Sequence, residues 1–271
     1  MINISSAENP LVKEVKSLST KKGREKTGKF FVEGLKFVKE ALEYPSDICY
    51  IMVSEKFFSS YFDSIINTAE ERGIKIYKLI DSLFEKLTDT ETPQGILCVL
   101  KKLKFDMQEI LKKQNKFFIL VDNVQDPGNF GTIIRTADAF GVDLILATKG
   151  TVDVYNPKVV RSTMGSIFRV PVIYEEDMVS CIKRLKGEGF KIMSASLDGR
   201  SILDRVDLDG NIAVILGNES RGVRKEFLGE SDELVKIPMV GKAESLNVSI
   251  ASGIIMYEVM KYRLQKKMGM I

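Results

Sequence analysis

Apolar and polar positions alternate along this chain in two series, each switching between strand-like and helix-like periods. In the first, a short helix near Pro10 to Leu18 is followed by "KFFVEG" (29–34), which reads as a strand, and "LKFVKEAL" (35–42), which has helical spacing. Then come "ICYIMVS" (48–54, strand), "FFSSYFDSIINTAEERG" (57–73, a helix ending on a glycine), "IKIYKLI" (74–80, strand), "SLFEKLTD" (82–89, a short helix) and "GILCVLK" (95–101, strand). The charged, weakly periodic stretch "KKLKFDMQEILKKQNK" reads as a linker. A second series begins at "FFILVDNV" (117–124) and continues through "VDLILA", "VPVIY", "FKIMSAS", "IAVILG" and "ELVKIPM". These runs are rich in Val and Ile and barely alternate, the pattern of parallel strands covered on both faces. Helices fit between and after them: "NFGTIIRTADAFG", "EDMVSCIKRLKGEG" and "NVSIASGIIMYEVMKYRLQKK". The expectation is an α/β protein of two domains, residues 1–105 and 117–271, joined through 106–116.

Composition narrows the chemistry. The 271 residues are 44% hydrophobic and 28% charged, as in globular proteins. No apolar run reaches the roughly 18–20 residues of a bilayer span, and the first residues lack a secretory pattern, so a cytoplasmic protein without membrane contact is expected. Three separated cysteines form no CxxC pair, which leaves no disulfide framework and no zinc site to expect. There is no histidine, which excludes Ser-His-Asp hydrolases, Cys-His proteases and HExxH zinc enzymes. The net charge of +3 is small but unevenly spread: between Lys13 and Lys29 seven Lys/Arg, among them Lys21, Lys22 and Arg24, face two acids. Such a segment fits a solvated surface as well as a phosphate-binding one.

Three strand-end segments concentrate polar residues. In "DNVQDPGNFGTIIRTADAFG" (122–141), Phe130, Ile133, Ile134 and Ala137 form an apolar stripe, with Gly128, Gly131, Arg135 and Asp138 on the other side. Arg135 with Asp138 reads equally as a helix salt bridge. In "NPKVVRSTMGSIFRVPV" (156–172), Ser162 and Thr163 either hold a phosphate or ribose or cap a helix. The third segment pairs "LGNESRG" (216–222), whose glycines permit close backbone approach to a ligand, with "IPMVGKAESLNVSIASG", where Ser245 or Asn247 suits a helix N-cap. Phosphate-loop and dinucleotide fingerprints are absent.

In this order, "DPGNFGTIIRTADAFG", "STMGSIFRVPV" and "ILGNESRGV" running into "IPMVGKAESLNVSIASGIIMYE" resemble the motifs of the SpoU (TrmH-like) RNA 2′-O-ribose methyltransferases of the SPOUT class. "FFVEGLKFVKEAL" resembles the start of an L30e-like substrate-binding domain. The resemblance implies a trefoil-knotted C-terminal α/β domain, a homodimer formed through it, and methyl transfer from S-adenosyl-L-methionine to a ribose 2′-hydroxyl without a metal. The RNA implied is 23S ribosomal RNA, with transfer RNA, or RNA binding without catalysis, as alternatives. By position it implies catalytic roles for Arg135, Glu219 and Asn129, with Glu219 orienting Arg135 or ribose. It implies cofactor contacts at Leu197, Gly217, Ile237, Ser245, Leu246 and Asn247. Substrate or RNA contacts fall to Ser162, Thr163, Lys21, Lys22 and Arg24.

Overall fold

The computed structural model describes residues 1–44, 46–57, 62–88, 90, 92–199, 201–203 and 206–270, with the side chains of 201 and 202 outside the description. Positions 58–61 and 89, part of two expected helices, lie outside the described residues. Two compact units result: residues 1–104 with 155–168, and residues 105–154 with 169–271.

The first unit is a mixed five-stranded sheet. Its elements are β1 (Ile2–Ile4), α1 (Pro10–Leu18), α2 (Lys21–Thr27), β2 (Lys29–Glu33), α3 (Leu35–Glu43), β3 (Ile48–Ser54), α4 (Phe62–Glu71), β4 (Lys75–Leu79), α5 (Asp81–Phe84) and β5 (Ile96–Lys101). The order is β1-β4-β3-β5-β2, parallel from β1 to β3 and antiparallel at β5 and β2. One core cluster gathers Val12, Val15 and Leu18 of α1 with Phe31, Met52, Leu79, Leu97 and Val99. Those three α1 residues recur at i, i+3 and i+6, the spacing that turns one helix face inward.

The second unit holds α6 (Met107–Leu111), β6 (Phe117–Val121), α7 (Pro127–Ala139) and β7 (Leu144–Thr148). After α8 (Pro157–Thr163), which packs in the first unit, follow β8 (Val172–Glu175), α9 (Met178–Gly187), β9 (Phe190–Ala195), β10 (Ser201–Ile202), β11 (Asn211–Leu216), α10 (Lys225–Glu230), β12 (Glu233–Lys236) and α11 (Val248–Lys267). Its seven strands are all parallel, ordered β10-β12-β9-β11-β6-β7-β8. Strands β6 and β7 are buried at every residue, which is why their sequences do not alternate. Within the stretch read as a linker, α6 packs Ile110 into the core cluster of β6, β7, β9 and β11.

The charged segment after α1 is more ordered than its composition suggests. Gly23 brings α2 against the end of α1, since a Cβ there would overlap the Ser17 carbonyl. Arg24 is 2% exposed and donates to the carbonyls of Leu18 and Ser19 at 2.9 and 3.0 Å. Its guanidinium therefore satisfies carbonyls that the last turn of α1 leaves open. That corrects the expectation of an RNA contact at Arg24; Lys21 and Lys22 do stand exposed on α2.

Candidate functional site

The site of the second unit is built where β6 and β11 end side by side. Asp122, 1% exposed, closes β6, and its carboxylate accepts from the Arg224 backbone N–H at 3.0 Å and from Arg224 Nε at 2.9 Å. Asn218 Nδ2 donates to the Asn123 carbonyl at 2.8 Å. These bonds pin both ends of the loop after β11 to the end of β6. The loop closes on itself, with Asn218 and Gly222 exchanging backbone hydrogen bonds of 3.1 and 2.9 Å. Gly222 takes φ +67°, and a Cβ on Gly217 would overlap the backbone of Gly222 and Val223. Glycine at 217 is thus demanded first by the loop's own fold, in addition to any ligand approach. Asp122, Asn218 and Arg224 carry this architecture, and the sequence signals them only as polar residues at strand ends.

Three polar side chains then join the segments in one direction. Asn247 is the N-cap of α11: its Oδ1 accepts from the Ser249 N–H at 2.8 Å and from Ser249 Oγ at 2.6 Å. Its Nδ2 donates to Asn129 Oδ1 at 2.9 Å, and Asn129 Nδ2 donates to Glu219 Oε1 at 3.1 Å. Asn129 itself stands in the first turn of α7, whose N-cap Asp126 accepts its backbone N–H at 2.7 Å.

Beside this chain opens a cleft of about 490 Å³. Leu197, Gly217, Ile237, Ser245 and Leu246 line it together with Glu219, while Asn247 stands outside its lining, between Leu246 and Val248, which do line it. Both ends of the exposed Asn247 side chain are engaged, one on the start of α11 and the other on Asn129. Leu216, Val235, Ile255 and Met239 add apolar surface, and Asp198, Arg221, Lys236 and Glu244 add charge. The volume lies in the roughly 300–1,000 Å³ range of small-molecule pockets.

The expected catalytic residues divide. Glu219 meets Asn129 and Asn218, and among the described residues it has no bond to Arg135, which leaves ribose as the other partner expected for it. Arg135 is exposed and carries no ion pair among the described residues. Asp138, the candidate for its helix salt bridge, instead accepts from Arg169 Nε at 2.7 Å. Gly131 lies on the buried face of α7 with Phe130 and Ile134, not on the Arg135 side. Thr163 is fully buried and its hydroxyl donates to the Val160 carbonyl at 2.7 Å, so it packs the core and is withdrawn from substrate. Ser162 is half-buried; its Oγ donates to the Lys158 carbonyl at 2.9 Å and keeps its acceptor lone pairs.

A polar-rimmed cleft at the ends of parallel strands defines a ligand-binding α/β protein, and comparison with known proteins specifies which. Residues 116–257 match the SpoU rRNA Methylase family, and residues 9–98 match the MRM3-like substrate binding domain. The chain is 38% identical over 259 residues to the 23S rRNA (guanosine(2553)-2′-O)-methyltransferase RlmP of Bacillus subtilis, covering 96% of this chain and 99% of that one. It superposes on the AdoMet-bound rRNA methyltransferase of Sinorhizobium meliloti with TM-score 0.87 and 29% identity, covering 96% and 97% of the two chains. AviRb, a SpoU methyltransferase of Streptomyces viridochromogenes in complex with AdoMet, shares the fold with TM-score 0.85 at 24% identity, over 95% of this chain and 100% of that one. The chain belongs to the SpoU rRNA methylase family. It is an RNA methyltransferase that uses S-adenosylmethionine.

Proposed function

We propose that this protein methylates a ribose 2′-hydroxyl of 23S ribosomal RNA and that the cleft lined by Leu197, Gly217, Ile237, Ser245 and Leu246 holds the methyl donor. Bound there, S-adenosylmethionine supplies an electrophilic methyl on a sulfonium. The lining fits it: Leu197, Leu216, Ile237, Leu246 and Ile255 offer apolar walls for an adenine, and Asp198, Glu219 and Glu244 offer carboxylates for hydroxyl and ammonium donors. The observation that carries the reading is the chain Asn247, Asn129, Glu219, which leaves one carboxylate held at the cleft's edge.

Glu219 accepts a ribose hydroxyl and sets its direction. Arg135 acts as a positioning cation: its guanidinium offers a fork of donors, and its exposed state, with no ion pair among the described residues, leaves it open to a substrate phosphate. Ser162 supplies the hydroxyl contact to RNA, and Lys21 and Lys22 meet the phosphate backbone, which positions RNA without reading its sequence. Residues 1–104 select the target. The guanosine named for the 38% identical relative is the first nucleotide to map.

The working unit is a homodimer built through the second unit. Helix α11 exposes Ile250 (55%), Tyr257 (45%) and Leu264 (51%), an apolar stripe at seven-residue spacing. Light scattering of the wild type against Tyr257→Asp tests it; a monomeric wild type rejects the dimer.

The function is tested by incubating the protein with in vitro-transcribed 23S rRNA and labelled S-adenosylmethionine, then mapping the methylated ribose. Arg135→Ala is expected to abolish transfer while leaving cofactor affinity nearly intact. Unchanged turnover in that variant would remove Arg135 from the mechanism.

A further inference from the structure

The span matched to the methylase family, 116–257, includes residues 155–168, which pack in the first unit. Two aromatic anchors fasten this segment. The Tyr155 ring lies 4.6 Å from that of Phe30, and its hydroxyl donates to the Leu103 carbonyl at 3.2 Å. At the other end Phe168 stacks on Tyr44 with 6.3 Å between ring centroids.

Between the anchors α8 stops abruptly. Met164 takes the left-handed conformation, φ 51° and ψ 34°, and Gly165 follows at φ +98°. A left-handed residue with a side chain costs roughly 1–2 kcal/mol, so surrounding structure has to hold it. What lies against this turn is Glu40 of α3. Its side chain is 14% exposed, and a Cβ on Gly165 would overlap its carboxylate. A carboxylate near the C-terminal end of a helix is disfavoured by the carbonyls gathered there. Lys36 stands 3.9 Å from the same carboxylate on α3, and the Met164 N–H is given to the Arg161 carbonyl at 3.2 Å, so Glu40 meets the turn at Gly165 itself.

We propose that Glu40 is a positioning residue for methyl transfer: its carboxylate fixes the turn at Met164 and Gly165, and so the end of α8 that presents Ser162 to RNA. The inference rests on the ribose methylation proposed above. It means that the substrate-binding part of the chain holds a piece of the reaction's own machinery.

The test compares Glu40→Gln, Glu40→Ala, Gly165→Ala and the double variant Glu40→Ala/Gly165→Ala in the full-length protein. The kcat and KM are measured on in vitro-transcribed 23S rRNA, S-adenosylmethionine affinity by calorimetry, and amide hydrogen exchange across residues 162–168 on the same samples. Glu40→Ala is expected to lower kcat/KM for RNA about tenfold, as misplacement of a substrate contact does, with cofactor affinity unchanged and exchange at 164–168 faster. Glu40→Gln, which keeps an acceptor oxygen, is expected to recover part of both. The double variant is expected to lose less than the product of the single losses, since the Cβ of Gly165→Ala displaces the same carboxylate that Glu40→Ala removes, while the strain of a side chain at φ +98° stays in both. Wild-type kinetics and wild-type exchange in folded Glu40→Gln and Glu40→Ala would overturn the proposal; if Glu40→Ala does not fold, Glu40→Gln and Gly165→Ala decide by the same measurements. Faster exchange in a protein whose wild type methylates no ribose of 23S rRNA would uphold the hold on the turn and overturn the function instead.

Discussion

Replacing Asn129 separates a connected site from a collection of polar side chains. Its amide faces two ways, accepting from Asn247 at 2.9 Å and donating to Glu219 at 3.1 Å. Asn129→Ala breaks both bonds and leaves Glu219 with Asn218 and a long contact to the Asp126 N–H at 3.4 Å. Hydrogen bonds to charged groups contribute roughly 1.5–3 kcal/mol when buried. Glu219 is exposed, so solvent competes, and about 1.4 kcal/mol, or a tenfold loss of kcat, is the expected scale. Asn129→Asp is the sharper perturbation, because it sets a carboxylate where the amide now meets Glu219. Two like charges about 4 Å apart repel by roughly 1 kcal/mol in water and 4 kcal/mol near a protein surface. Repulsion between like charges raises one carboxyl of the pair. Below that raised value the pair shares a proton and the chain closes through O–H···O; above it both oxygens repel. Turnover of Asn129→Asp relative to wild type is therefore expected to be highest in mild acid and to fall as pH rises, while Asn129→Ala shows a loss independent of pH. The assay is single-turnover methylation of 23S rRNA from pH 5 to 8. A flat ratio for Asn129→Asp, or an undiminished Asn129→Ala, would refute the connected site.

Other outcomes follow from the same structure. Thr163→Val removes a hydroxyl used only inside α8 and is expected to cost about 1 kcal/mol of stability without slowing transfer, whereas Ser162→Ala slows it; thermal melts and kinetics on both variants check this. Arg24→Met strands the carbonyls of Leu18 and Ser19 and is expected to destabilise by about 2 kcal/mol, leaving the salt dependence of RNA binding unchanged. Lys21→Ala and Lys22→Ala should each flatten that dependence by about 0.7 in log–log slope, read by filter binding across salt concentrations. In the first unit burial pushes Glu14 up, but hydrogen bonds from Lys29 and Tyr50 and the Lys29 charge outweigh it and hold the carboxyl below its ordinary value. A depressed carboxyl stabilises the fold above its unfolded pKa, and that share is lost as pH falls through the folded one. Denaturant melts below about pH 4.5 are expected to show this loss in wild type and a smaller one in Lys29→Met.

The strands were legible because buried parallel strands need continuous apolar runs, and β6, β7 and β11 have them. Of the three polar segments only the third lines the cleft, with Gly217, Ile237, Ser245 and Leu246, and Leu197 joins them from a position that the family resemblance alone had named. What sequence could not tell is where a polar group spends its hydrogen bonds. Arg24 and Lys22 look alike in a basic run, yet one is buried on carbonyls and the other exposed. Ser162 and Thr163 are adjacent hydroxyls on one helix, and a rotation of about 100° per residue puts Thr163 in the core. The charged stretches holding α2 and α6 read as surface or linker because short helices gain most of their stability from packing, which periodicity over five to seven residues barely signals. Glu40 gave no local sign at all: its relation to Gly165 spans more than a hundred residues of chain.

The direction of the hydrogen bonds at the cleft is itself a constraint on what the site can do. An ionised carboxylate only accepts, so Glu219 requires a donor, and Asn129 must turn its Nδ2 toward it. That leaves Asn129 Oδ1 to accept, and Asn247 supplies its Nδ2. Asn247 Oδ1 is then left for the open N–H groups at the start of α11, which need such an acceptor. Each orientation fixes the next, and an inverted amide anywhere would set donor against donor or oxygen against oxygen. The chain thus runs from the positive end of a 20-residue helix to a carboxylate at the cleft. A carboxylate oxygen engaged by Asn129 is held in place, and the two oxygens keep lone pairs for further donors. Glutamine at 219 would keep the shape but offers one accepting oxygen where the carboxylate has two, so it can satisfy Asn129 or receive the substrate through that oxygen, but with half the acceptor capacity. The glutamate's chemistry, more than its length, is what this arrangement selects.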